Sequence, residues 1–183
     1  MRIIALSGSP AAIPALNHLF MSDMLAALIC PAADVSSEVA PLEVWAAGKG
    51  VPCWRVEQAG LETELTELIA ETSPDLLLVY GFPYAVPAHL PESFVYGAWN
   101  VQFTLQPDHQ GSVTIHQLAG SGADAPILQQ SGLALLSSDY GGTPINQLSL
   151  VSVVMIQAAL RTLNLPEPRP HRRFGASGFA VAS

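Results

Sequence analysis

Short runs of apolar residues recur along the first half of the chain and alternate with segments of helical spacing. Runs of four to eight apolar residues that end at a glycine or proline are typical of strands buried on both faces of a sheet. The clearest run is Leu76 to Tyr80, which ends at Gly81. The pattern predicts strands over residues 2–6, 25–30, 51–56, 76–80 and 98–103.

The segments between these strands carry apolar residues at helical spacing. Leu61, Leu65 and Leu68 share one face of the segment that precedes the fourth strand. Pro41 and Gly48 mark the start and the end of a short helix, and residues 32–39 before it are expected to form a loop. The predicted helices cover residues 12–20, 41–48 and 61–71, and a short proline-bounded helical piece follows residue 81.

Strands and helices therefore alternate from residue 2 to residue 103. Such alternation predicts a parallel sheet with helices on both faces. Because crossovers are right-handed, few strand orders remain, and we expect the first strand beside the fourth. Gly8 and Gly81 would then lie at the same edge of the sheet. The predicted fold class is α/β, a Rossmann-like, open and mostly parallel sheet.

The pattern is less regular after Gly111. Residues 113–118 alternate as a strand does, residues 120–124 read as a loop, and residues 127–136 predict either an edge hairpin or a broken strand. A long apolar helix is expected over residues 143–163. The segment 164–183, which contains prolines and arginines, is too short to fold alone. We therefore predict one domain, residues 1–163, and a C-terminal tail, residues 164–183.

Composition narrows the classes of function. The chain has 183 residues, half of them hydrophobic and 12% charged, which is typical of one globular domain. The net charge of −8 and a single lysine, Lys49, argue against a nucleic-acid partner. No apolar run is long enough for a membrane span, and no signal peptide is evident, so we expect a cytoplasmic protein with no membrane partner. The apolar final helix leaves room for a homodimer face.

Two polar side chains stand out at the end of a predicted buried strand. Asn100 and Gln102 are two residues apart and therefore point to the same face. Ligands of open α/β sheets bind at the carboxyl ends of strands, where the winding reverses. The sequence therefore places the site at this edge. Cys30 and Cys53 lack the spacing of metal ligands, and we expect buried thiols in a reducing compartment and no metal site.

Four stretches, in order and at nearly the right spacing, resemble the N-terminal catalytic domain of the folate-dependent formyltransferases. The family's first strand, turn and helix are similar to MRIIALSGSPAAIPAL, and its A-x-x-x-G-I-P-V unit to PLEVWAAGKGVPCWRVE. Its signature, a strand ending in Tyr-Gly followed by N-x-H-x-S-L-L-P-x-x-x-G, resembles DLLLVYGFPYAVP and GAWNVQFTLQPDHQG. Its later Asp loop and final helix resemble DAPILQQ and SSDYGGTPINQLS.

The resemblance implies transfer of a formyl group from 10-formyltetrahydrofolate to an amine of a small molecule. In the family an Asn and a protonated His donate hydrogen bonds to the oxyanion, and an Asp supports the His. Asn100 matches the Asn, Asp124 matches the Asp, and Gln102 stands at the position of the His. The pterin of the family lies between the segment after Tyr-Gly and the Asp loop. This implies cofactor-binding residues at Phe82, Pro83, Tyr84, Ala85, Val86 and Asp124.

Two departures from the family pattern keep a second interpretation open. A Gln cannot transfer a proton, and losing such a group costs on the order of 10²–10⁴-fold in rate. The second departure is an internal deletion, because part of the family's helix and strand between the Pro-x-x-x-Gly turn and the Asp loop is missing here. Residues 111–116 match either a family turn or a family strand, and the strand is favoured because Val-Thr-Ile-His has strand composition. The chain is therefore either an active transferase or a degenerate paralogue that binds a ligand or a protein. His109 and His116 are the imidazoles that could replace the missing one.

Overall fold

A single seven-stranded sheet organises the molecule in the computed structural model, which describes residues 1–32, 36–106, 109–118, 126–136 and 143–163. The strand order across the sheet is β3-β2-β1-β4-β5-β6-β7. The predicted loop at 120–124 and the tail at 164–183 lie outside the described residues. The strands are β1 (Ile3–Ser7), β2 (Leu25–Pro31), β3 (Cys53–Val56), β4 (Leu76–Tyr80), β5 (Ala98–Gln106), β6 (Gln110–Leu118) and β7 (Ile127–Ala134).

The first five strands are parallel, and the last two are antiparallel to their neighbours. β1 pairs with β2 on one side and with β4 on the other, as the alternation of elements predicted. β4 pairs in parallel with β5, whereas β5, β6 and β7 form an antiparallel ribbon. The α/β class, with an open and mostly parallel sheet, is confirmed.

Helices cover both faces of the sheet. On one face Leu16, Leu42 and Leu148 pack against sheet residues such as Leu78. On the other face Leu65 belongs to a second buried cluster. None of the helices in the described part of the chain has the length and hydropathy that a membrane span requires. The helices are α1 (Ile13–Met21), α2 (Ser36–Lys49), α3 (Leu61–Thr72) and α4 (Pro144–Thr162), with 3₁₀ turns at Pro10–Ala12 and Leu90–Ser93.

Helix α2 starts earlier than predicted. It begins at Ser36, so Pro41 lies inside the helix. The prediction of a loop over residues 32–39 is therefore wrong for residues 36–39, which are helical. The extra residues are drawn into the helix by burial, since Val39, Leu42 and Ala46 are all fully buried at helical spacing. The missing N–H of one proline costs less than exposing that apolar stripe would.

The segment 127–136 contains one continuous strand, so the expected hairpin or break is wrong. β7 is the edge strand and pairs with β6 along nearly its whole length. A bulge lies at the start of β7, because Ile115 pairs with Gln129 while His116 pairs with Ile127. Leu128 is the extra residue of the bulge, and β7 continues on both sides of it. The bulge accounts for the irregular alternation of the sequence in this segment.

Candidate active site at the carboxyl ends of β1 and β4

A cavity of about 420 Å³ opens where β1 and β4 end, beside the first half of β5. Because β5 continues to Gln106, the prediction that Asn100 and Gln102 stand at the end of their strand is wrong. The cavity lies at the change of direction in the winding, the usual position of a ligand in an open α/β sheet. Two of the three candidate catalytic residues, Asn100 and Gln102, line it. The other lining residues are Ser9, Ala11, Tyr80, Gly81, Phe82, Val101, Phe103 and Ile145.

Two glycines bring the ends of β1 and β4 together beside the cavity. The Gly8 N–H donates to the Gly81 carbonyl oxygen at 3.3 Å. A Cβ on Gly8 would lie 3.0 Å from that oxygen, and Gly81 has a φ of +61°, a region that L side chains rarely adopt. The close approach therefore depends on glycine at both positions.

The turn after β1 precedes α1, a position at which backbone N–H groups often bind an anion. The Ser9 N–H donates to Ser7 Oγ, and the Ala11 N–H donates to Ser9 Oγ, each at 3.3 Å. The Ala12 N–H donates to the Ser9 carbonyl oxygen at 3.0 Å. The Gly8 N–H bonds to β4, and the remaining position of the turn is a proline. The turn thus uses its own backbone N–H groups and offers none of them to an anion.

Helix α4 is held against the cavity by buried hydroxyl groups that the sequence analysis missed. Ser152 Oγ donates to the Ser149 carbonyl oxygen at 2.7 Å. The Tyr80 hydroxyl lies 2.9 Å from Ser152 Oγ and donates to it, because the serine proton is already used. Burial raises the pKa of Tyr80 to about 12, so the phenol stays neutral. Serines on the apolar face of α4 were the signal that could have revealed this contact.

The register of the antiparallel ribbon places an imidazole beside Asn100. Asn100 lies directly opposite His116, and Gln102 lies opposite Thr114. Asn100 Nδ2 is 3.3 Å from His116 Nε2. His109 sits at the β5–β6 turn with a φ of +56°. Six residues of strand separate Asn100 from that turn, about 20 Å at about 3.3 Å per residue. The structure therefore joins His116, and not His109, to the candidate site.

The segment from Phe82 to Val86, predicted to hold the cofactor, starts at the cavity and leads away from it. Phe82 lines the cavity, and its ring makes an edge contact with Tyr84, with 5.3 Å between the ring centres. Tyr84 and Val86 pack against the hydrophobic cluster under α3. Gln58 Nε2 donates to the Ala85 carbonyl oxygen at 3.2 Å. These contacts fix the segment; Asp124, the remaining candidate, lies outside the described residues.

The two cysteines, treated separately in the sequence analysis, are neighbours on β2 and β3. Their Sγ atoms are 4.0 Å apart. Cys30 is fully buried, whereas Cys53 is partly exposed. The hydrogen bond between the thiols lowers the pKa of Cys53 and raises that of Cys30. Their adjacency follows from the parallel pairing of β2 with β3.

Comparison with known proteins identifies similar structures but no similar sequence. No protein-family model matches the chain, and no curated protein matches it by sequence. A phosphoribosylglycinamide formyltransferase from Anaplasma phagocytophilum has a TM-score of 0.67 at 19% identity, over 88% of this chain and 85% of that one. Glycinamide ribonucleotide transformylase 1 from Symbiobacterium toebii gives 0.66 at 19% identity, over 88% and 86%.

A second kind of enzyme is also similar in structure. A formyltetrahydrofolate deformylase from Pseudomonas putida KT2440 has a TM-score of 0.65 at 16% identity. The match covers 87% of this chain and 63% of the deformylase chain. The transformylases and the deformylase thus share one fold with this chain, and it is the fold of the folate-dependent formyltransferases.

Proposed function

We propose that the protein transfers a formyl group from 10-formyltetrahydrofolate to an amine of a small molecule. The observation that carries the proposal is the pair of amides on β5, Asn100 and Gln102, on the wall of a cavity at the carboxyl ends of β1 and β4. The fold is shared with formyltransferases and a formyltetrahydrofolate deformylase. The bound formyl-folate supplies the formyl carbon that the amine attacks.

The cavity fits such a ligand in size and in chemistry. Its volume of about 420 Å³ lies within the range of about 300–1,000 Å³ that small-molecule sites occupy. Phe82 supplies an aromatic surface at its rim, and the amides of Asn100 and Gln102 supply hydrogen-bond donors. In this proposal Asp124 adds the carboxylate that the family pattern places beside the formyl group.

The two amides have a defined task in the reaction. Negative charge develops on the formyl oxygen as the amine attacks, and a fixed N–H donor stabilises that charge more than it stabilises the substrate. Asn100 is half-buried on β5, so its amide is held in place, whereas Gln102 is exposed. Asn100 is therefore the main donor, and Gln102 assists it.

The described lining of the cavity also bears on the acceptor. None of the residues that line it in the described part of the chain is charged. A phosphate bound there would find no cation among these described lining residues, and the turn after β1 uses its own N–H groups. This favours an amine that is recognised through hydrogen bonds. The acidic net charge of −8 disfavours a tRNA acceptor.

A transfer assay with a panel of small amines tests the proposal. Tetrahydrofolate release should depend on the amine, and Asn100→Ala should lower kcat about 10²–10³-fold, the usual cost of one such donor. Thr104→Ala, a change at an exposed position of the same strand, serves as the matched control. Release that is independent of any amine would indicate hydrolysis instead, with water as the acceptor.

The Gln102→His variant tests whether the remaining residues form a transferase. A histidine here restores a proton-transfer group on the same face as Asn100, and activity should rise toward the about 10²–10⁴-fold that such a group contributes. A correctly folded variant that binds formyl-folate but gains nothing would contradict the transferase and support a ligand-binding paralogue.

A further inference from the structure

The three strands of the antiparallel ribbon carry a single titratable side chain. β5, β6 and β7 contain amides, hydroxyls and apolar groups, and His116 is the one residue among them that can change its charge. Its ring nitrogen Nε2 lies 3.3 Å from Nδ2 of Asn100, which lines the cavity. His116 itself is not among the residues that line the cavity. Any effect of His116 on a ligand would therefore act through Asn100.

The hydrogen bond between these residues depends on the proton of the imidazole. A neutral ring with its proton on Nδ1 accepts from the Asn100 amide nitrogen, as the observed contact requires. A protonated ring has a hydrogen on Nε2 and can only donate, so the Asn100 amide must turn over and present its oxygen to His116. Its two N–H groups then point away from His116.

We propose that His116 is a positioning residue, and that its protonation sets which end of the Asn100 amide faces the cavity. Protonated His116 turns the amide N–H groups toward the cavity, where they can donate to a formyl oxygen. Neutral His116 accepts a hydrogen bond from the amide nitrogen, which then faces His116 and not the cavity. The meaning of this switch for formyl transfer rests on the proposed function, whereas the switch itself does not.

The surroundings of His116 leave this hydrogen bond as its main polar contact in the described chain. On the same face it is flanked by Asn100 on β5, by Thr114 and Leu118 on β6, and by Ile127 on β7, none of them charged. Asp124 follows β6 in the sequence, outside the described residues, and is tested by substitution.

Side-chain amide resonances of the ¹⁵N-labelled protein test the switch without any ligand. The Asn100 NH₂ signals, assigned by their loss in Asn100→Ala, should shift with pH at the same midpoint as the His116 ring protons. The shift should vanish in His116→Gln, which keeps a polar partner that does not titrate, and persist in Thr114→Ala and Asp124→Asn. Signals that do not shift, or that still shift in His116→Gln, overturn the proposal, and so does loss of the shift in Asp124→Asn.

The affinity for 5-formyltetrahydrofolate links the switch to the site. Lowering the pH from above to below the midpoint at which the His116 ring protons shift should tighten binding about three- to tenfold, the size of one net hydrogen bond. His116→Gln should bind equally at both pH values. Binding that does not depend on pH in the wild type overturns the positioning role. If no binding occurs at either pH while the resonances shift, the positioning stands and the proposed function fails.

Discussion

Hydroxyl, thiol and amide groups, each with a defined partner, shape the molecule at the scale of single residues. Tyr80 is bonded through its hydroxyl to Ser152, which joins the end of β4 to α4 beside the cavity. Cys30 and Cys53 share one contact between two strands. Asn100 is bonded to His116 across the ribbon. In all three cases the two partners lie on different elements, so each contact joins two elements of the fold.

The buried phenol of Tyr80 should make stability fall at high pH. Its pKa is about 12 in the folded protein and 10.0 without the fold, because burial disfavours the phenolate. The contribution of the neutral phenol to the free energy of unfolding is complete below pH 10. It is lost as the pH rises toward 12, by about 1.4 kcal/mol per pH unit. Urea unfolding from pH 9 to 11 should show a shallower decline in Tyr80→Phe than in the wild type. Equal declines would contradict the account.

The two thiols should differ in reactivity toward iodoacetamide. Cys53 is partly exposed and its pKa is lowered by the hydrogen bond from Cys30, whereas Cys30 is fully buried. Only thiolates that are accessible react quickly. Mass spectrometry of the native protein should find the label on Cys53 first, and Cys53→Ser should slow labelling strongly, while Cys30→Ser should not. Preferential labelling of Cys30 would contradict the observed burial.

At the scale of elements, the strands were easier to predict than the starts of helices and the edges of the sheet. β1, β2 and β4 are short runs of buried apolar residues, and this pattern predicts a strand that is covered on both faces of the sheet. The start of α2 was missed because the burial of Val39 outweighs the signal of Pro41. The serines on the apolar face of α4 were a signal for buried hydroxyls, but the sequence alone did not identify Tyr80 as the partner of Ser152.

The Gly81 turn is the element whose geometry the site needs most. An alanine there would have to adopt a φ of +61°, with its Cβ 3.1 Å from that of Ser9. Gly81→Ala should therefore destabilise the fold by about 1–2 kcal/mol. Gly48→Ala is the matched control: its Cβ meets nothing within 4 Å inside α2, and it should stabilise by about 0.5–1 kcal/mol. Chemical denaturation should give opposite signs; equal signs would contradict the assignment of strain to Gly81.

At the scale of the whole molecule, the site is a consequence of strand order. β1 beside β4, and β5 beside β4, bring Gly8, Gly81 and Asn100 to one edge. The alternation of elements predicted the first of these pairings and the shared edge of the two glycines. The contact of Asn100 with His116 did not follow, because it depends on the register of an antiparallel pair. A shift of one residue would have placed His116 on the opposite face. The sequence thus named His109 and His116 as candidate imidazoles, and only the register of β5 with β6 shows that His116 is the one beside Asn100.

The central claim is that the cavity beside Asn100 and Gln102 binds a formyl-folate. Calorimetric titration of the purified wild-type protein with 5-formyltetrahydrofolate tests it most directly. We predict micromolar affinity, weakened about tenfold or more in Asn100→Ala and in Asp124→Ala, and unchanged in Thr104→Ala. The absence of binding up to millimolar ligand, in protein that circular dichroism shows to be folded, would mean that the fold has been kept without its folate site.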